Sequence, residues 1–333
     1  MKNIIFFTFL ILFISSKING QNLQQNPDCK ILFKVKWGSE NSELGIQEAA
    51  MRGLNDTKFF FCPPGFRIDE AGKVYILDQV NGRIKIFNKN GKLVKNFPII
   101  VIDTNFDLYF TIDSDKNIWI HDGRKGFFYV YNNDGKLIKR IIYDPAEYRK
   151  YIPVNFDIRE GKIIGGNYEV NELTEVSSKG ETDEKIFTTA PKILSYYYER
   201  TSDNSGKYSK NIYIPFCNLG DNEYNGIVGL RIIDKNSAQK DYKLKEFSTN
   251  NYSFCCEDIG KNIYMQVWED VHKTFRIYKY SESMKYLGKT MLLKSNHEKG
   301  FMFYNEFVIT KKGEIYFMAF GVDGPEISRC YIK

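Results

Sequence analysis

A four-strand unit that recurs along the chain is the feature that most constrains its fold. The clearest copy occupies Phe66–Phe97. Within it, Val74–Leu77 is mostly apolar, as expected for a strand covered on both faces, whereas Arg83–Phe87 alternates polar with apolar residues, so we expect one buried face. Gly72 and Gly91 fall where tight turns must join the first strand to the second and the third to the fourth.

The pattern recurs five more times, with the third and fourth copies the least regular. The six predicted units occupy about 64–98, 106–143, 153–190, 193–247, 251–293 and 303–333. The last has only three strands, while residues 30–37 form a strand without a unit. Pairing that strand with Ile327–Ile332 completes the unit and closes a ring, which removes unpaired sheet edges.

The sequence therefore predicts an all-β fold: a six-bladed β-propeller of four-stranded antiparallel blades, closed by the N-terminal strand. No linker of distinct composition divides residues 21–333, so we expect a single domain. Glu43–Leu54 has apolar residues at near-helical spacing and predicts a short helix over one face of the propeller. A helix that binds a partner is the alternative interpretation.

The first unit resembles the NHL repeat, from which six-bladed propeller families, including secreted bacterial ones, are built. The resemblance rests on Gly65–Asp69, on Gly72–Asp78, and on Asn81–Phe87 followed by Gly91-Lys92. It persists loosely in the second unit and fades afterwards. Some families of this kind bind proteins or sugars and others are metal-dependent hydrolases or lyases, so the resemblance implies a fold and leaves the function open. It also implies that Asp78 and Asp122, at the aspartate position of the repeat, organise a turn.

The N-terminus has the pattern of an export signal. Lys2 precedes an apolar run from Ile4 to Ile14, and we expect cleavage after Gly20, so residues 1–20 are the predicted signal peptide. The run is shorter than the roughly 20 residues that cross a bilayer as a helix. We therefore expect a secreted or periplasmic protein with no transmembrane span in the mature chain; an uncleaved anchor is the alternative.

The charge of the chain is mildly basic, with a formal net value of +6. The lysines are spread between acidic residues, without the basic stripe that follows a phosphate backbone. We therefore expect no nucleic-acid partner.

One face of the predicted propeller collects the residue types that bind ligands. The loops between the second and third strands lie on the same face as the loops leading into each blade, and we call this the loop face. All three histidines of the chain fall there. The ligand-binding candidates are His121, Arg124, Trp268, Asp270, His272 and His297. Histidines near carboxylates can hold a transition metal, and channel oxygens can hold calcium, so a divalent metal in the channel is one hypothesis. Ordinary surface histidines and a packed tryptophan are the simpler interpretation.

The cysteines suggest one covalent link. Cys29 precedes the closing strand and Cys330 lies in its predicted partner, within a residue or two of being opposite. In an exported chain a disulfide between them would lock the ring, and two reduced thiols are the alternative.

Two classes of function remain open. The sequence contains no G-x-S-x-G, no H-E-x-x-H and no phosphate-binding glycine loop, so it identifies no catalytic residue, metal or cofactor. A binding or scaffold propeller that recognises a protein, peptide or glycan on its loop face is the favoured hypothesis, which makes an enzyme the less favoured one. The alternative is a metal-dependent hydrolase or lyase with its site at the mouth of the central channel.

Overall fold

The repeated pattern forms antiparallel sheets, because apolar or alternating strands separated by short turns pair with their neighbours in sequence. A computed structural model describes residues 29–50, 58–100, 108–122, 127–142, 156–159, 162–165, 212–218, 227–233, 238–246, 252–270, 274–290, 293–294, 301–302 and 307–333. Every helix or strand element assigned in these ranges is a β-strand. The same ranges contain no helix that is long and apolar enough to cross a membrane.

The strands agree closely with the predicted ones. In chain order they are β1 (Cys29–Lys34), β2 (Gln47–Ala50), β3 (Lys58–Phe61), β4 (Phe66–Ile68), β5 (Val74–Asp78), β6 (Arg83–Phe87), β7 (Leu93–Pro98), β8 (Leu108–Ile112), β9 (Ile118–Asp122), β10 (Phe127–Tyr131), β11 (Leu137–Ile142), β12 (Phe156–Arg159), β13 (Lys162–Gly165), β14 (Ile212–Asn218), β15 (Ile227–Ile233), β16 (Gln239–Lys243), β17 (Tyr252–Glu257), β18 (Ile263–Asp270), β19 (Thr274–Tyr280), β20 (Tyr286–Lys289), β21 (Leu293–Lys294), β22 (Phe301–Met302), β23 (Phe307–Ile309), β24 (Ile315–Phe320) and β25 (Pro325–Cys330).

Four sheets among the described residues form complete blades. The first blade is β4–β7, the second is β8–β11 and the fifth is β17–β20, each antiparallel and ordered as in the sequence. The closing blade has the order β1-β25-β24-β23, with the N-terminal strand outermost. Cys29 faces Cys330 and Lys34 faces Glu326 in the β1–β25 pair, which confirms the predicted closure by the N-terminal strand. The protein is therefore an all-β propeller of antiparallel four-stranded blades.

The positions of the predicted third and fourth blades hold smaller sheets. β12 and β13 form a two-stranded antiparallel sheet, and β14–β16 form a three-stranded one. Much of the two units predicted at 153–190 and 193–247, including residues 166–211, lies outside the described residues. The four complete blades are thus fewer than the six predicted, and six remains a prediction.

The hydrophobic cores lie between consecutive blades and join the last to the first. Phe33, Phe66 and Met318 belong to a core shared by the closing and first blades, whereas Ile84 and Phe110 belong to one shared by the first and second. Further cores join β14–β16 to the fifth blade and the fifth to the closing blade. Strand β23 also packs beside β4. The ring is therefore closed at the junction where the chain ends meet.

The helix predicted over Glu43–Leu54 is wrong for the residues that the structure describes. Leu44 is fully buried in the core between the closing and first blades, and residues 47–50 form β2, which pairs with β3. Strand β22 adds to β3 in parallel, giving a three-stranded sheet outside the blades. Long-range pairing and burial of Leu44 outweigh a moderate helical propensity, as tertiary context often does.

Candidate functional site

The two faces of the propeller differ in the regularity of their connections. The turns between first and second strands, and between third and fourth strands, lie on one face, which we call the turn face. The connections between second and third strands that the structure describes, residues 79–82 and 321–324, lie on the opposite, loop face. In the sequence, the connections from one blade to the next, at 99–107 and 143–155, differ in length. Loops on a rigid scaffold are where binding residues concentrate, so the loop face is the candidate functional surface.

A recurring aspartate stabilises the turn face. In three blades its carboxylate accepts a backbone N–H from the residue four positions on and a side-chain N–H or O–H from the aromatic residue six positions on. The sets are Asp69 with Lys73 and Tyr75, Asp113 with Asn117 and Trp119, and Asp258 with Asn262 and Tyr264. Burial, and then the neighbouring carboxylate, raise the pKa of Tyr75 and Tyr264. These aspartates were missed in the sequence, although their spacing to an aromatic residue repeats.

The N-terminal segment covers part of the loop face. After β1 the chain crosses the closing blade, where the Trp37 indole N–H donates to the Gly321 carbonyl at 3.0 Å. It then crosses the first blade, where Asn81 Nδ2 donates to the Gly38 carbonyl at 3.0 Å. We call residues 36–50 and 58–61 the N-terminal cap. One sector of the predicted ligand face is therefore occupied by the chain itself.

A buried ion pair anchors the cap. Lys85 Nζ lies 3.2 Å from Asp78 Oδ2, and neither side chain is exposed. The ammonium also donates to the Glu40 carbonyl at 3.1 Å, while Asp78 Oδ1 accepts the Gly45 N–H at 2.9 Å. Burial lowers the pKa of Lys85, and the nearby Asp78 carboxylate opposes that shift.

This cluster corrects the expectation drawn from the alternation of Arg83–Phe87. Lys85, on the face expected to be solvated, is fully buried beneath the cap, and Arg83 Nε lies 3.5 Å from Asp78 Oδ2. A Cβ on Gly45 would lie 2.6 Å from Val80 Cβ, so only glycine permits this approach. Asp78 accepts a hydrogen bond of 2.9 Å from Asn81 Nδ2 and so organises a turn, as the resemblance implies. It also pairs with Lys85 of the same blade and accepts the Gly45 N–H from the cap.

His121 is buried rather than exposed on the loop face. It lies within β9, is 2% exposed, and its ring stacks on Phe128 with centroids 4.5 Å apart and faces Tyr109 at 6.1 Å. Burial lowers the pKa of His121 to about 3. The imidazole is therefore neutral at physiological pH, and its surroundings are those of a core side chain.

The other predicted site residues are not brought together with His121 by the described structure. Trp268 is partly buried and packs on Phe275, with ring centroids 5.4 Å apart, against the core between the fifth and closing blades. Asp270 ends β18, and only its backbone is described. Arg124, His272 and His297 lie outside the described residues. Within the described ranges, no three His, Cys, Asp or Glu side chains form a group that could hold a metal ion.

A disulfide joins the two strands that close the ring. Cys29 and Cys330 are bonded, with Cα atoms 4.0 Å apart and a sequence separation of 301. The bond lies at the end of β1 away from the cap. Cys62, Cys255 and Cys256 are buried, and burial raises the pKa of Cys62.

Comparisons with known proteins return structural likenesses at low identity. No family model matches the chain, and no curated protein matches it. Virginiamycin B lyase from Staphylococcus aureus is 14% identical, with 87% of this chain and 100% of that one covered and a TM-score of 0.40. A putative exported protein from Bacteroides fragilis is 12% identical, with 94% and 97% covered and a TM-score of 0.42. The WD40 domain of Pan2 from Neurospora crassa is 12% identical, with 91% and 90% covered and a TM-score of 0.40. The assignment of the fold rests on the strand pairing and ring closure described above.

Proposed function

We propose that this protein is an exported binding propeller that recognises a protein, peptide or glycan through its loop face. The observation that carries the proposal is the contrast between the two faces. The turn face repeats one hydrogen-bonded turn, whereas the loop face carries connections of unequal length on the same rigid blades. A fixed scaffold with one variable face is the arrangement by which propellers and other binding modules present recognition loops.

The cap directs the proposed ligand to the remaining sector of this face. Because residues 36–46 bind across the closing and first blades, the ligand would meet the loops of the later blades. Arg124, Asp270, His272 and His297 are the proposed contact residues. His121 would support β9 from within the blade, and Trp268 would form a packed edge of the surface.

Export is part of the proposal. Disulfides persist in oxidising compartments, and the Cys29–Cys330 bond fits a secreted or periplasmic location. The signal-like residues 1–20 precede it. N-terminal sequencing of the protein recovered outside the cytoplasm should begin at Gln21; recovery of the intact N-terminus inside the cytoplasm would contradict this part of the proposal.

Arrays of immobilised glycans and peptides test the binding function. We expect a reproducible ligand whose binding is lost in an Arg124→Ala/His272→Ala variant and retained in Lys89→Ala, a matched change at an exposed turn-face position. If Lys89→Ala loses binding and the Arg124→Ala/His272→Ala variant retains it, recognition lies on the turn face and the proposal is wrong. Metal content distinguishes the alternative, because one bound ion per chain with a hydrolase or lyase activity that a chelator abolishes would favour an enzyme.

A further inference from the structure

The outermost strands of three blades share a surface pattern that the binding proposal does not use. In each, a lysine follows the positive-φ turn residue directly, an apolar residue stands two positions later, and a polar or cationic residue stands two positions after that. The sets, which we call the rim triads, are Lys92–Val94–Asn96 at the start of β7, Lys136–Ile138–Arg140 at the start of β11 and Lys285–Leu287–Lys289 at the start of β20. In each strand the apolar member is the residue that a β-bulge leaves without a partner in the ladder, at the outer edge of the blade.

The apolar members of the triads are exposed. Val94 is 52% exposed, Ile138 50% and Leu287 44%. A single exposed aliphatic side chain needs no explanation, but three at the same register, each beside a lysine, form a repeated feature.

The leading lysines of the triads are available to an external anion. Lys92, Lys136 and Lys285 are exposed, and no ion pair in the described ranges involves them. The nearest acidic groups on these turns are engaged elsewhere, since Asp134 pairs with Lys95 at 3.0 Å and Glu282 with Lys261 at 2.6 Å. The rim therefore presents uncompensated positive charge.

The first and second blades place two triads side by side. These blades share one core, and Phe97 of β7 packs against Gly135 in the turn that leads into β11. A flat anionic surface meeting this part of the rim would contact three cations, Lys92, Lys136 and Arg140, together with two aliphatic side chains.

We propose that the rim formed by the first and second blades docks on an anionic lipid bilayer. Cations near such a surface are attracted to its headgroups, and aliphatic side chains between them enter the interfacial region. A soluble polyanion would use the cations but has no apolar phase to receive Val94 and Ile138. The alternative role of these lysines is to prevent edge-to-edge pairing of outer strands, which requires no lipid.

Vesicle flotation of the mature chain tests the proposal, with phosphatidylcholine vesicles compared with vesicles of equal parts phosphatidylcholine and phosphatidylglycerol. We expect binding to the anionic vesicles only. A Lys92→Gln/Lys136→Gln/Arg140→Gln variant should bind about a hundredfold more weakly, given the contribution of each cation near an anionic surface. Removing three exposed lysines elsewhere, in Lys36→Gln/Lys89→Gln/Lys312→Gln, should leave most of the binding intact.

The apolar residues provide the decisive arm. A Val94→Ser/Ile138→Ser variant should bind anionic vesicles several-fold more weakly while binding dextran sulfate as the natural chain does. Equal vesicle binding by this variant, equal weakening by both lysine variants, or no binding by the natural chain would overturn the proposal. Circular dichroism and the urea midpoint of each variant establish that it is folded.

Discussion

Acid should destabilise the protein through His121, because only the neutral imidazole fits its buried position. In the folded chain the pKa of His121 is lowered to about 3, against 6.5 for an unburied histidine. Between these values the unfolded chain takes up a proton that the folded chain does not, so the free energy of unfolding falls as the pH falls below about 6.5. At pH 5 the loss amounts to roughly 2 kcal/mol, at about 1.4 kcal/mol for each pH unit.

A His121→Phe variant isolates this contribution. Phenylalanine keeps an aromatic ring between Tyr109 and Phe128 but does not titrate. Urea unfolding at pH 7 and pH 5 should therefore show a fall in unfolding free energy that is about 2 kcal/mol larger for the natural chain than for the variant. All other groups titrate in both proteins and cancel in the difference. Equal pH dependence, or a steeper one in the variant, would show that His121 is not buried as described.

Three further predictions concern the cap, the turns and the tyrosines. Asp78→Asn and Lys85→Met should each lower the free energy of unfolding by about 3–5 kcal/mol, because each leaves a buried charge without its partner. The double variant should be less destabilised than the sum by about 1–3 kcal/mol in urea unfolding, and strict additivity would refute the pair. Gly72→Ala should lower the free energy of unfolding by about 1 kcal/mol, because of its φ of +76° alone. Gly91→Ala should lower it by at least twice as much, because the added Cβ would also lie 2.4 Å from Phe33 Cβ in β1. Thermal unfolding compares the two variants, and equal losses would contradict the packing of Gly91 against Phe33. Burial raises the pKa of several tyrosines, that of Tyr316 to about 12, so the stability that they contribute below pH 10 is lost as the pH rises further. In an alkaline titration, tyrosinate absorbance and circular dichroism should therefore change together. Tyrosine ionisation without unfolding would contradict this prediction.

The blades were predictable where the signal is local. Gly72 and Gly91 both adopt positive φ, as the turn pattern requires, and Val74–Leu77 is buried on both faces. The closure of the ring followed from a count of strands, because one blade lacked a strand and one strand lacked a blade. The observed pairing of Cys29 with Cys330 has the same origin.

The rest depends on contacts between distant parts of the chain. Lys85 alternates with apolar neighbours and so resembles a solvated residue, but the cap, some 40 residues earlier in sequence, covers it. Leu44 fits a helical pattern, yet it is buried between the closing and first blades. His121 was expected at the loop face because it ends the predicted strand Ile118–His121, whereas one further paired residue, Asp122, keeps it inside the blade.

The turn face and the rim triads likewise differ in whether the sequence carries a local signal for them. The aspartate of the turn face repeats at a fixed distance from its aromatic partner, so a search for that spacing would have found Asp69, Asp113 and Asp258. The rim triads are far apart in sequence, and only the stacking of blades places the turn at Gly135 against Phe97 of β7. A linear search for a basic stripe therefore could not find them.

Non-reducing peptide mapping tests the central claim, that the N-terminal strand closes the ring by pairing with the last strand. The purified mature chain, alkylated under denaturing conditions without reductant and then digested, should give one cross-linked peptide pair containing Cys29 and Cys330. Alkylation of both Cys29 and Cys330, or a link from either to another cysteine, would contradict the closure described here.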